Sequence, residues 1–293
     1  MGLRTIIARH PLAFAVATLV ACLAVYSGVA AANPPSLFIP PAVASIPAFA
    51  AYRLSRPVFW AGATHKRDAR VLAAASVGAA LVVAALGIGM GAFEPHATDI
   101  PLITGQGAGL SPALSLLAIA AVCAFTGIYE EAVFSAVLFG ALRVYYARDG
   151  NEAADNPPSE DAPIRALSRR MCGKAAAVQG LVFAFAHIVT GLLAASQGVD
   201  AAALGQMAVW FVATFLFGVV TAVLMEYGHS LALNAAVHAL YDFALFGPLA
   251  LKAGTMRAAT ITGDVADLAL FAAQAGILAV VLVILYAIAK RRG

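Results

Sequence analysis

Apolar runs long enough to form membrane helices, separated by short polar or basic segments, fill almost the whole chain. The first, Leu12–Ala31, follows Arg4 and Arg9; it ends in a signal-peptidase-like GVAAAN but is longer than a typical signal core, and so reads as a retained helix. Ser36–Tyr52 is shorter and holds Pro40 and Pro41, which a membrane helix tolerates where neighbours satisfy the freed carbonyls. Val71–Phe93 is the third run. From Pro112 the pattern stays helical to about Ala147, roughly 54 Å at 1.5 Å per residue. A hydrocarbon core is about 30 Å thick, so the end of this helix is predicted to project into the cytosol. Lys174–Ser196, Ala202–Tyr227, Ser230–Leu251 and Val265–Ala289 complete eight spans, with no internal repeat. The pattern therefore predicts an all-α polytopic membrane bundle.

Composition agrees. Of 293 residues, 62% are hydrophobic and 11% charged, far from the balance of a soluble domain. The net charge of +3 gives no reason to expect a nucleic-acid partner; the lipid bilayer is the medium. The distribution of charge says more. With the N-terminus inside, cytoplasmic segments carry 16 of the 18 Lys and Arg, Arg143 among them, and only Lys252 and Arg257 lie outside. The positive-inside rule thus places both termini in the cytoplasm. The expected location is the plasma membrane of a prokaryote, in a multi-pass integral protein. Asp149–Arg170, with Pro157, Pro158 and Pro163, is the longest polar loop and reads as disordered. Cys22, Cys123 and Cys172 show neither a disulfide framework nor a CxxC metal signature.

Candidate chemistry sits where charge is most costly. Glu130 and Glu131 are adjacent acids inside the fourth span, and intramembrane acids face the protein interior or water. Neighbours on a helix point about 100° apart, so one can face a cavity while the other meets a second helix. His187 lies in the fifth span, and His238 and Asp242 in the seventh. Counted from their cytoplasmic ends, Glu130 and His187 lie about 20 Å deep and His238 about 12 Å, close to one layer. Asn234 and Asp242 each stand one turn from His238, where either can fix the imidazole tautomer. Glu226 and His229 read as boundary residues.

A carboxylate beside an imidazole can deprotonate water, and a further imidazole with a donor can stabilise an oxyanion. That constellation suits peptide-bond hydrolysis within the membrane, with no cofactor expected. The same side chains, Glu130, His187 and His238, would instead be the ligands if the chemistry were zinc-dependent, although there is no HExxH.

These residues resemble the motifs of a known family, the CAAX protease and bacteriocin-processing (CPBP, or ABI) intramembrane proteases, which include the Ras-converting endopeptidases. The family's EExxxR is matched by Glu130-Glu131-Ala132-Val133-Phe134-Ser135, its FxxxH by Phe183 to His187, and its HxxxN or HxxxD by His238 to Asp242. The resemblance implies a catalytic core at 110–247, including the cytoplasmic loop, with 1–109 and 248–293 as flanking membrane segments. It implies that Glu130 and His187 activate the water, that His238 and Asp242 form the oxyanion site, and that Glu131 is part of the site. Implied substrates are membrane-associated peptides or proteins, prenylated CAAX tails among them. One departure is plain: Ser135 stands at the motif's arginine position. Glu131 must then be protonated, hydrogen-bonded by Ser135, or paired elsewhere. The same departure favours the alternative of a catalytically inactive scaffold or immunity protein that binds membrane peptides. A proton-coupled transporter is a further class, disfavoured by the missing inverted repeat.

Overall fold

A computed structural model describes residues 2–32, 38–60, 66–95, 99–102, 111–149, 169–195, 201–256 and 261–290. The predicted disordered loop falls almost wholly outside them.

The protein is an all-α polytopic helical bundle. A short helix, α1 (Leu3–Arg9), leads into α2 (Pro11–Ala32), followed by α3 (Ile39–Phe59) and α4 (Lys66–Gly89). The long fourth element has three parts: α5 (Pro112–Glu130), a π-helical segment (Glu131–Leu138) and α6 (Phe139–Asp149). Then come α7 (Arg169–Ala195), α8 (Ala201–Gly228), α9 (Leu231–Ala253) and α10 (Val265–Lys290). Among the described residues, six helices are long and apolar enough to cross a membrane. α3 and α9 are not among them. The reason is compositional: α3 carries Arg53, Arg56 and internal prolines, and α9 carries Asn234, His238 and Asp242. A helix that holds the polar groups of a buried site loses the hydropathy by which a span is read.

Helix ends are set locally. Ser111 caps α5 through its side chain, with Pro112 in the first turn where no N–H is needed. Ser230 caps α9 in the same way, after a tight turn from α8 in which His229 takes φ 45°. At its other end α9 stops at Gly254, φ 65°, a left-handed position that glycine adopts without strain. Just beyond, β2 (Thr255–Met256) pairs antiparallel with β1 (Ile100–Pro101), and Lys252 meets Glu94 at 2.6 Å. This clasp beyond the C-terminal end of α9 was not legible as strand, since two residues carry no period.

Two helix pairs approach closely, and small residues permit it. A Cβ on Gly127 would stand 2.6 Å from the Ala235 carbonyl oxygen, so α5 and α9 nearly touch backbone to backbone. A Cβ on Gly218 would stand 2.9 Å from the Gly180 Cα, which sets α7 against α8. Small residues are the usual way for membrane helices to gain packing, because lipid offers no hydrophobic drive between them. Gly127→Ala is expected to force α5 and α9 apart and to cost about 1–3 kcal/mol. Reversible unfolding in bicelles checks it; an unchanged stability would contradict the close packing.

Candidate functional site

The site grows out of the π-helical segment. All eight of its residues, Glu131 to Leu138, are buried, so every side of this helix meets protein. A π-helix widens the turn and re-aims the side chains around it, and such segments concentrate at functional sites. The Trp60 indole, at the end of α3, donates to the Ala136 carbonyl at 2.9 Å and holds the widened turn.

The two adjacent acids part here. Glu130 faces a cavity of about 190 Å³ whose wall also includes His187, His238 and Asp242. Glu131, 1% exposed, turns toward α9. It accepts from His238 Nδ1 at 2.6 Å and from Asn234 Nδ2 at 2.6 Å. Asn234 donates also to the Thr221 carbonyl of α8 at 3.0 Å.

The imidazoles are oriented from behind. His187 Nδ1 lies 2.8 Å from the Phe183 carbonyl, and His238 Nδ1 lies 2.6 Å from a carboxylate oxygen. Carbonyl and ionised carboxylate oxygens only accept, so in both rings Nδ1 carries the proton, and Nε2 is left facing the cavity side. Glu130 Oε2 lies 3.5 Å from His187 Nε2 and 3.6 Å from His238 Nε2. It is buried and has no hydrogen-bond partner. Asp242 Oδ2 lies 3.5 Å from the same His238 Nε2. Four acceptor-capable atoms from three helices thus surround a space that a proton-bearing species would satisfy. Phe183 and Phe217 pack against the imidazoles, at 4.2 Å from His187 and 4.8 Å from His238, and keep the site desolvated.

All five candidate residues of the sequence, Glu130, Glu131, His187, His238 and Asp242, meet in this cluster. Two details differ from expectation. Neither Asn234 nor Asp242 fixes the His238 tautomer directly: Glu131 does, Asn234 holds Glu131, and Asp242 stands at the opposite ring nitrogen. Ser135 does not reach Glu131; its hydroxyl donates to Thr221 Oγ1 at 3.1 Å, and Thr221 in turn donates to the Gly218 carbonyl. Of the three options the motif left open for Glu131, pairing elsewhere is the one found. Among the described residues, no group of three or more His, Cys, Asp or Glu side chains is arranged to hold a metal ion.

A second polar cluster went unread. Arg143, counted among the cytoplasmic charges, is 2% exposed. Its Nε lies 2.9 Å from Glu226 Oε2, its Nη1 donates to the Phe59 carbonyl at 3.1 Å, and its guanidinium lies over the Trp60 ring. Glu226, at the end of α8 as the sequence placed it, is also half of an interhelical ion pair. Arg143 and Glu226 are 83 residues apart, a distance at which no sequence periodicity speaks.

Fold and site together define an integral membrane protein with a buried carboxylate–imidazole centre. Residues 112–244 match the family model described as type II CAAX prenyl endopeptidase Rce1-like, the family that the three motifs resemble. No curated protein and no solved structure matches the chain. The family match suggests intramembrane endopeptidase activity on membrane-associated substrates.

Proposed function

We propose that this protein is an intramembrane endopeptidase that hydrolyses a peptide bond of a membrane-associated substrate near the cytoplasmic side, with prenylated CAAX tails as one substrate class. The observation that carries this reading is Glu130 Oε2, buried and unpartnered between two imidazole nitrogens at 3.5 and 3.6 Å. A water in this space donates one O–H to Glu130 and one to His187. Glu130 takes its proton as the water oxygen bonds to the substrate carbonyl carbon. Glu130 then delivers that proton to the leaving amide nitrogen as the C–N bond breaks. His238, held by Glu131 at Nδ1, faces the oxygen on which charge develops and donates to it once its Nε2 has taken a proton from Asp242, 3.5 Å away.

Charge balance supports these roles. Three carboxyl groups, Glu130, Glu131 and Asp242, share the cluster with two neutral-or-cationic imidazoles, His187 and His238. Buried charge persists only where it is compensated. With both rings neutral and their protons on Nδ1, at least one of the three carboxyls must take a proton. Glu131 is held ionised by its two donors and Glu130 serves as the base, which leaves Asp242 to take the proton; protonated, it can donate to an oxyanion.

We propose further that the catalytic core spans 110–247, that eight helices cross the membrane with both termini in the cytoplasm, and that the reaction needs no metal. The purified protein in lipid, given a library of membrane-tethered peptides that includes prenylated CAAX tails, is expected to release a defined product in excess chelator. Loss of cleavage in chelator, restored by zinc, would refute the metal-free mechanism. Binding of peptides with no cleavage under any condition would favour the scaffold reading.

A further inference from the structure

We infer that Asn234 is the positioning residue that sets the His238 tautomer in this chain, doing so through Glu131 and in place of any cationic partner for that acid. For its activity readout the inference rests on the endopeptidase reading; its spectroscopic readout stands alone.

Glu131 is almost wholly buried, and a buried carboxylate needs donors for its lone pairs or it becomes very costly. Its donors are His238 Nδ1 on one oxygen and Asn234 Nδ2 on the other, each at 2.6 Å. The short distances fit charge-assisted bonds. Asn234 is itself 0% exposed and cannot turn away, since its second amide proton is committed to the Thr221 carbonyl at 3.0 Å. The amide therefore acts as a rigid bracket between α8 and the π-helical segment. It fixes the carboxylate plane of Glu131, and that plane fixes where the Nδ1 proton of His238 lies. With the proton there, Nε2 is the ring atom that faces Glu130 and Asp242 at 3.6 and 3.5 Å.

Ser135 is the residue next expected to serve Glu131, and its geometry assigns it elsewhere. It donates to Thr221 Oγ1, which donates to the Gly218 carbonyl, so this branch ends on α8 without touching the acid. The bracket on Asn234 uses the Thr221 backbone carbonyl, which no side-chain change at Thr221 removes.

The test compares Asn234→Asp, Asn234→Leu, Ser135→Ala and Thr221→Val in the full-length protein in lipid. Asn234→Asp is isosteric, so the inference stays testable if Asn234→Leu does not fold. The first readout is ¹⁵N NMR of labelled histidine. Wild type, Ser135→Ala and Thr221→Val are expected to keep His238 protonated at Nδ1, and both Asn234 variants to show a tautomer mixture. The second is cleavage. The Asn234 variants are expected to lower kcat by at least about 100-fold, toward the roughly 10⁴-fold that a wrong histidine tautomer costs elsewhere, with KM changed by less than about twofold. Asn234→Asp also carries a pH signature. The introduced carboxyl faces Glu131, with Glu130, His187, His238 and Asp242 beyond it, and donates only when protonated. Its activity is expected to recover on the acid side of the wild-type profile.

An unaltered His238 signal in Asn234→Asp overturns the inference, as does a wild-type kcat and pH profile in that variant. A large loss in Ser135→Ala overturns the assignment to Asn234. If wild type cleaves nothing, the endopeptidase reading fails, and the histidine signal still decides the positioning role.

Discussion

Glu130→Gln is expected to leave a folded protein that cleaves about 10³-fold more slowly or not at all, within the range lost with a general base. The substitution keeps size and hydrogen-bonding capacity but removes the carboxylate that takes the water proton. Glu130 contributes no hydrogen bond to the packing of the bundle: its Oε2 has no partner, while the neighbouring Glu131 makes the interhelical bonds. Folding and catalysis therefore separate at these adjacent positions. Substrate binding by the variant should be near normal, because the cavity keeps its shape. The check is single-turnover cleavage beside the thermal unfolding of wild type and variant. A loss of less than about tenfold would remove Glu130 from the base role.

The second large effect concerns stability. Arg143→Met is expected to cost about 3–5 kcal/mol, because it leaves Glu226 without its cation and the Phe59 carbonyl without its donor. Glu226 has 14% of its side chain exposed, so partial hydration places the result toward the lower end of that range. Arg143→Met combined with Glu226→Leu should recover part of the loss, since removing both charges avoids a stranded one. A reversible denaturant titration in bicelles measures the cycle. A cost below about 1 kcal/mol for the single change would mean that the pair behaves as a surface salt bridge.

Much of the site was legible in the sequence because its residues are anomalous where they stand. Adjacent acids in an apolar helix, with imidazoles at matching depth on two others, need no structure to draw attention. The helices carried the same kind of signal, down to the long element from Pro112. Partners across helices were not legible. That Glu131 pairs with Asn234, that Ser135 chooses Thr221, and that Arg143 meets Glu226 depend on which faces pack together. Those choices follow from close approaches such as Gly127 on the Ala235 carbonyl, and a lone glycine in an apolar run does not declare its neighbour. The π-helical turn was equally silent, because its residues keep an ordinary apolar composition while all eight are buried. The burial of Arg143 was silent too, because an arginine near the end of an apolar run does not declare which helices will cover it.

The most direct test of the central claim is cleavage of a membrane-tethered peptide library by the purified protein in lipid, beside Glu130→Gln and His187→Ala. Cleavage by wild type, with both variants folded and inactive, is the predicted result. A wild-type rate in either folded variant would contradict the water-activating pair.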